Sequence, residues 1–103
     1  MSKADARTDT GLTLAGVFSV AYKHARRHQV SCGRQTTSKF ACKTSFWYGP
    51  NDYWGTVNVF FTFGQGYEVF WSDHYVIHWV SDHCYFHTRH PGRCTIHTRQ
   101  GVY

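Results

Sequence analysis

At 103 residues the chain has room for one domain, and a domain this small benefits from covalent staples. With 42% hydrophobic and 17% charged residues it is a folding sequence, not a disordered one, and no apolar run reaches the length of a membrane-spanning helix. The formal charge of +5 with histidines neutral favours an acidic partner: nucleic acid, an anionic polymer or an acidic protein patch. A merely solvated basic surface is the plainer alternative.

Residues 1–11 are polar, with Lys3, Asp5, Arg7 and Asp9, and read as a flexible lead-in to a single domain over 12–103. Leu14, Val17, Phe18, Ala21 and Ala25 have the spacing of an amphipathic helix, predicted over 12–28. Thr10 or Thr13 is placed to cap its start. Lys23, His24, Arg26, Arg27 and His28 gather at its end, where cations suit the helix dipole. Ser19-Val20-Ala21 resembles a signal-peptide cleavage region, but acidic residues precede it and the helical spacing runs through it.

A first strand is expected from Val30 to Cys32, followed by a turn over Gly33–Ser38. Lys39–Tyr48 alternates, with Phe40, Cys42, Thr44, Phe46 and Tyr48 on one face and Lys39, Lys43 and Ser45 on the other. Gly49-Pro50-Asn51-Asp52 is a strong turn signal. Tyr53–Phe63 is a further strand, with Tyr53, Val57, Val59, Phe61 and Phe63 on one side. Gly64-Gln65-Gly66 then turns the chain into its most aromatic stretch, Gly66–His87.

That stretch puts Tyr67, Val69, Trp71, Tyr75, Ile77 and Trp79 on one face. Glu68, His74, His78 and Asp82 lie on the other, with Phe70, Val76 and Val80. It is long for one strand, so a bend is expected at Ser72-Asp73-His74 or Ser81-Asp82-His83. A turn at His90–Arg93 and a last strand at Cys94–Thr98 complete the chain. The fold class is α+β: one N-terminal helix packed on a curled antiparallel β-sheet of about five or six strands, with two disulfides.

The cysteines Cys32, Cys42, Cys84 and Cys94 form two pairs of equal internal spacing. An even count in a short chain points to disulfides and an oxidising compartment, hence a secreted, periplasmic or extracellular location. Tight zinc knuckles are missing. Local closure, Cys32–Cys42 and Cys84–Cys94, is expected because each pair flanks a turn-like segment. Each short loop would stabilise by about 2–3 kcal/mol.

Four constellations have the residue types for chemistry or binding. His24 and His28 are four apart on the predicted helix, a pair suited to a metal, though without a neighbouring glutamate. His74 and His78 share a strand face with Glu68 and Asp82; a carboxylate beside an imidazole would orient it for acid–base work. His83, His87, His90 and His97 gather around the last hairpin, but at no spacing that matches a metal geometry, so no metal or other cofactor is assigned. Lys39, Lys43, Arg89, Arg93 and Arg99, interleaved with Trp47 and Trp54, have the makings of a basic, stacking surface.

Asp73-His74-Tyr75, within SDHYVIHWVSDHC, resembles the strand of small secreted bacterial guanyl-specific ribonucleases that carries a catalytic histidine and ends in a disulfide cysteine. The resemblance covers residues 72–84 and extends to size, basicity and helix-then-sheet order. It departs from that family in having no glutamate on an upstream strand and no paired arginines after it, and no family is assigned. Other catalytic motifs are missing, and one glutamate and five aspartates are few for glycosidase or metal-dependent hydrolase chemistry.

The expectation is a small secreted, disulfide-stapled binding module. Its basic, aromatic-rich sheet surface (Lys39, Lys43, Trp47, Trp54, Arg93 and Arg99) would contact an acidic or polymeric partner. The alternative is a metal-independent ribonuclease-like enzyme with His74 or His78 as acid or base, Glu68 as partner and Arg89 as phosphate clamp.

Overall fold

The computed structural model describes residues 1–64, 66–81, 84 and 94–103, and the side chains of all of these except 63, 64 and 67–70. Helix α1 spans Lys3–Phe18 and a short helical turn, α2, spans Val20–Lys23. Five strands follow: β1 (Arg26–Thr36), β2 (Lys39–Tyr48), β3 (Asn51–Gly64), β4 (Tyr67–Ser81) and β5 (His97–Val102). They pair in sequence order, β1-β2-β3-β4-β5, each antiparallel to the next, in an open sheet. The fold is α+β. No helix among the described residues is long and apolar enough to cross a membrane.

The helix starts nine residues before its predicted position. Ser2 caps it: its hydroxyl accepts from the Asp5 amide, and the Asp5 carboxylate accepts from the Ser2 amide. This is a reciprocal capping box, and both acidic residues of the supposed lead-in belong to α1, Asp5 in its first turn. The same hydrogen bonds hold the Asp5 carboxyl below the ordinary aspartate range. The buried stripe of α1 is Ala6, Thr10, Thr13 and Leu14, at helical spacing but with two threonines, which hid it from an apolar pattern. Ser19, at φ 49° and ψ −118°, ends the helix. Residues 26–28, predicted as the helix end, instead open β1, with Arg27 at φ 56° inside an irregular register between Arg26 and Gln29.

Alternation in β2 and β3 follows the expected pattern. Phe40, Cys42, Thr44 and Phe46 are buried on β2, as are Tyr53, Val57, Val59 and Phe61 on β3. Tyr48, at the end of β2, is exposed. The β2–β3 connection is the two residues Gly49-Pro50, since Tyr48 pairs with Asn51. Gly49 takes φ 58° there, and proline fixes a negative φ after it, the combination of a type II′ hairpin turn. At Gly55 a Cβ would lie 2.0 Å from the Val76 carbonyl oxygen, so the β3–β4 approach itself demands glycine.

β4 runs straight through Ser72-Asp73-His74, where a bend was expected; its only register shift opposes Thr62/Phe63. Of the other expected bend, Ser81 is the last residue of β4, and Asp82 and His83 lie outside the described residues. The last strand begins at His97, not at Cys94. Both disulfides have the expected pairing, and no described cysteine is free. Cys32 and Cys42 are directly opposite in the β1–β2 register.

Helix α1 crosses one face of the sheet diagonally. Near its start the Arg34 guanidinium of β1 donates to the Met1 carbonyl; near its end the Arg99 guanidinium of β5 donates to the Val17 carbonyl. Between them lies the core, including Leu14, Phe40, Phe46, Val57, Val59, Phe61 and Ile77. Phe18 sets its edge against Phe46, Tyr53 and Trp79 at 5.8–6.0 Å, and Phe46 stacks on Tyr53 at 4.6 Å. A 16-residue helix is only about 24 Å long, whereas the 15 residues of β4 extend about 50 Å. The diagonal therefore leaves a corner of the helix-side face uncovered. Trp71, expected inside, stands in the inward row opposite Phe61 yet is 49% exposed.

Candidate functional site

The face of the sheet turned away from α1 carries the outward half of each alternating strand. Lys39, Lys43 and Trp47 come from β2, Trp54 and Phe60 from β3, and His74, Val76 and His78 from β4. The register aligns them in rows across the strands: Ser45–Trp54–His78–Thr98, Lys43–Thr56–Val76–Gln100 and Lys39–Phe60–Ser72. No described helix covers this face.

Within it, aromatic rings contact cations and imidazoles. The Lys39 ammonium sits 5.4 Å from the Phe60 ring centre, and His74 meets the same ring edge-on at 4.8 Å. Trp54 and His78 are 5.7 Å apart with tilted planes. Lys43, Trp54, Gly55, Thr56 and His78 line an open depression of about 400 Å³. His78 is oriented by Thr98, whose hydroxyl is 2.8 Å from Nδ1, and the Ser72 hydroxyl is 3.5 Å from His74 Nε2. Such a surface combines point charges with flat apolar rings, which is what a flexible anionic chain with planar groups requires.

The remaining sequence candidates are distributed differently. Trp47 is half-buried on the same outer face, opposite Asp52. Arg99 is in the helix-facing row beside Ile77; it closes a carbonyl at the end of α1 and lies 5.8 Å from the Phe18 ring. It is therefore not on the open face with Lys39 and Lys43. Arg89 and Arg93 lie outside the described residues, as do Asp82, His83, His87 and His90. Glu68 is on the same strand as His74, six residues away; at about 3.3 Å per residue their backbones are about 20 Å apart, too far for a carboxylate–imidazole hydrogen bond.

His24 and His28 are not a helical pair. His24 ends α2, and His28 is on β1, where Nε2 lies 2.7 Å from the Tyr22 carbonyl oxygen. His97 stacks on Trp79 at 5.5 Å. Among the described residues no three of His, Cys, Asp or Glu converge to hold a metal ion.

A second polar cluster lies inside, between α1 and β4. Asp73, only 2% exposed, accepts a hydrogen bond from the Thr13 hydroxyl and meets the Asp9 carboxyl. Burial, reinforced by the hydrogen bond with Asp9 and by its charge, raises the Asp73 carboxyl to about 7; the Thr13 hydroxyl opposes the rise. Each carboxyl keeps one buried oxygen with no hydrogen-bond donor, Asp9 Oδ2 and Asp73 Oδ1.

Sequence reasoning passed over Phe60 as a plain strand residue, although its even position already put it on the same face as Trp54. The inward position of Asp73 follows from the same alternation, but a carboxylate there breaks the apolar pattern used to find the face.

Comparison with protein-family models, with curated proteins and with solved structures found no match to the chain.

Proposed function

We propose that this chain is a secreted binding module that holds an anionic polymer on the open face of its sheet. The observation that carries the reading is the placement of Lys39, Lys43, Trp54, Phe60, His74 and His78 on one face that no described helix covers. The net charge of +5 supplies long-range attraction for the same class of partner. Two disulfides, one pinning the edge strand β1, fit a domain that works in an oxidising compartment. The sheet supplies the rigidity and the side chains supply the contacts, so no chemical step is required of the protein.

The test is a titration of the native protein with heparin and with polyuridylate at several salt concentrations. Binding is expected to weaken steeply with salt, and Lys39→Ala and Lys43→Ala should each lower the logarithmic salt slope by about 1. Salt-independent binding, or none, would remove the reading. Chelator-resistant cleavage of the RNA that disappears in His74→Ala would replace it with a ribonuclease.

A further inference from the structure

The open face holds two sets of one lysine, one aromatic ring and one histidine, each drawn from β2, β3 and β4. In the first the lysine is opposite the ring and the histidine diagonal to it; in the second the histidine is opposite and the lysine diagonal. One set is Lys39 on β2, Phe60 on β3 and His74 on β4, with the lysine over the ring and the imidazole at its edge. The other is Lys43 on β2, Trp54 on β3 and His78 on β4, which together wall one depression. Lys39 and Lys43 are four residues apart on one strand, and His74 and His78 are four apart on another, about 13 Å in each case. The rings are six apart on the strand between, about 20 Å. Phe60 is 37% exposed, and Trp54 is half-buried with its ring at the depression.

Resting on the binding reading above, we infer that the two lysine–aromatic–histidine sets form a bipartite site for single-stranded nucleic acid, with phosphates at Lys39 and Lys43 and bases against Phe60 and Trp54. Charge complementarity alone admits any polyanion. The rings narrow the choice. A sulfated polysaccharide satisfies the lysines but brings no π-face to the rings, and a duplex keeps its bases stacked inside. A single strand offers both groups alternately along one chain. The separation of the sets adds a length requirement: a mononucleotide fills one set, and only an oligomer reaches both, the second contact then forming at high effective concentration.

The experiment measures fluorescence anisotropy of labelled oligouridylates of one to eight nucleotides, with heparin as competitor. Affinity is expected to rise at least tenfold between the shortest and longest oligomers and then level off. Trp54→Ala and Phe60→Ala should each cost roughly 5- to 150-fold for the octamer, the effect of losing one stacked base, and should abolish the length dependence. Lys39→Glu and Lys43→Glu, exposed or half-exposed changes outside the core, test the same site if an aromatic variant fails to fold. Trp71→Phe, on the opposite face, should change nothing.

Heparin binding that equals or exceeds octamer binding, with Trp54→Ala and Phe60→Ala neutral, would overturn this inference and leave the polyanion reading standing. Failure of both polymers to bind would overturn both.

Discussion

Asp9 of α1 and Asp73 of β4 meet carboxyl to carboxyl beneath the helix, with Thr13 donating its hydroxyl to Asp73. The groups facing the Asp73 carboxyl are the Asp9 carboxyl and the Thr13 hydroxyl from α1; the Asp73 backbone exchanges hydrogen bonds with the Tyr103 backbone at 2.8 and 3.2 Å. A raised carboxyl binds its proton more tightly folded than unfolded. The stabilisation is therefore full below about pH 4 and lost as pH rises to about 7. The change from 3.8 to about 7 sets a ceiling of about 4 kcal/mol on that loss. Melting temperatures from pH 4 to 8 should fall more steeply for the wild type than for Asp73→Asn. Parallel curves would show that the Asp73 carboxyl is not raised in the folded protein.

Phe18 ties the end of α1 to the sheet through three edge-on aromatic contacts. It is half-buried, so Phe18→Ala should cost about 2–3 kcal/mol, below the range for a fully enclosed phenylalanine. Urea denaturation measures it; a loss under about 0.5 kcal/mol would mean that the helix end is not anchored there.

Gly55 faces the Val76 carbonyl, and backbone cannot swing aside as a side chain does. Gly55→Ala should destabilise by about 2 kcal/mol or more by forcing β3 and β4 apart. Amide exchange should quicken first in those two strands. A variant as stable as wild type would show that the close approach is relieved by a small shift.

Cys32 and Cys42 are cross-strand partners whose bridge closes a short hairpin. Removing both, as Cys32→Ala/Cys42→Ala, should cost about 2–3 kcal/mol. Native mass spectrometry under alkylation should show modification only after reduction, and thiols reactive without reductant would contradict the export argument.

The sheet was legible because it rests on strong period-two signals: Phe40 to Phe46 and Tyr53 to Phe61 show their inward face residue by residue. The disulfide pairing was legible because each cysteine pair flanks a turn-like segment in the sequence. The helix was misplaced because its buried stripe is Ala6, Thr10, Thr13 and Leu14; the Thr13 hydroxyl donates to Asp73, whereas the Thr10 hydroxyl is buried with no hydrogen-bond partner among the described residues, so neither threonine reads as core from its type. The Ser2/Asp5 pair was the overlooked signal, since a capping box marks a helix start independently of hydrophobicity. Trp47, Trp54, Lys39 and Lys43 share a face as alternation predicts. Arg99 does not join them, because its register with Ile77 depends on where β5 pairs, which no local pattern encodes.

The order of the strands leaves β1 and β5 as the sheet's two borders, and both are rich in cationic or protonatable side chains. Arg26, Arg27, His28 and Arg34 are on β1, with His97 and Arg99 on β5. An unpaired strand border is a template for another copy of the chain. Here an approaching copy would bring like charges to each joint, and the bridge from Cys32 holds β1 against β2, opposing its release to invade a neighbour. Fibril growth should therefore be slow in dilute buffer and hasten as salt screens the arginines, so the ionic strength that releases an anionic ligand is also the condition in which these molecules begin to join edge to edge.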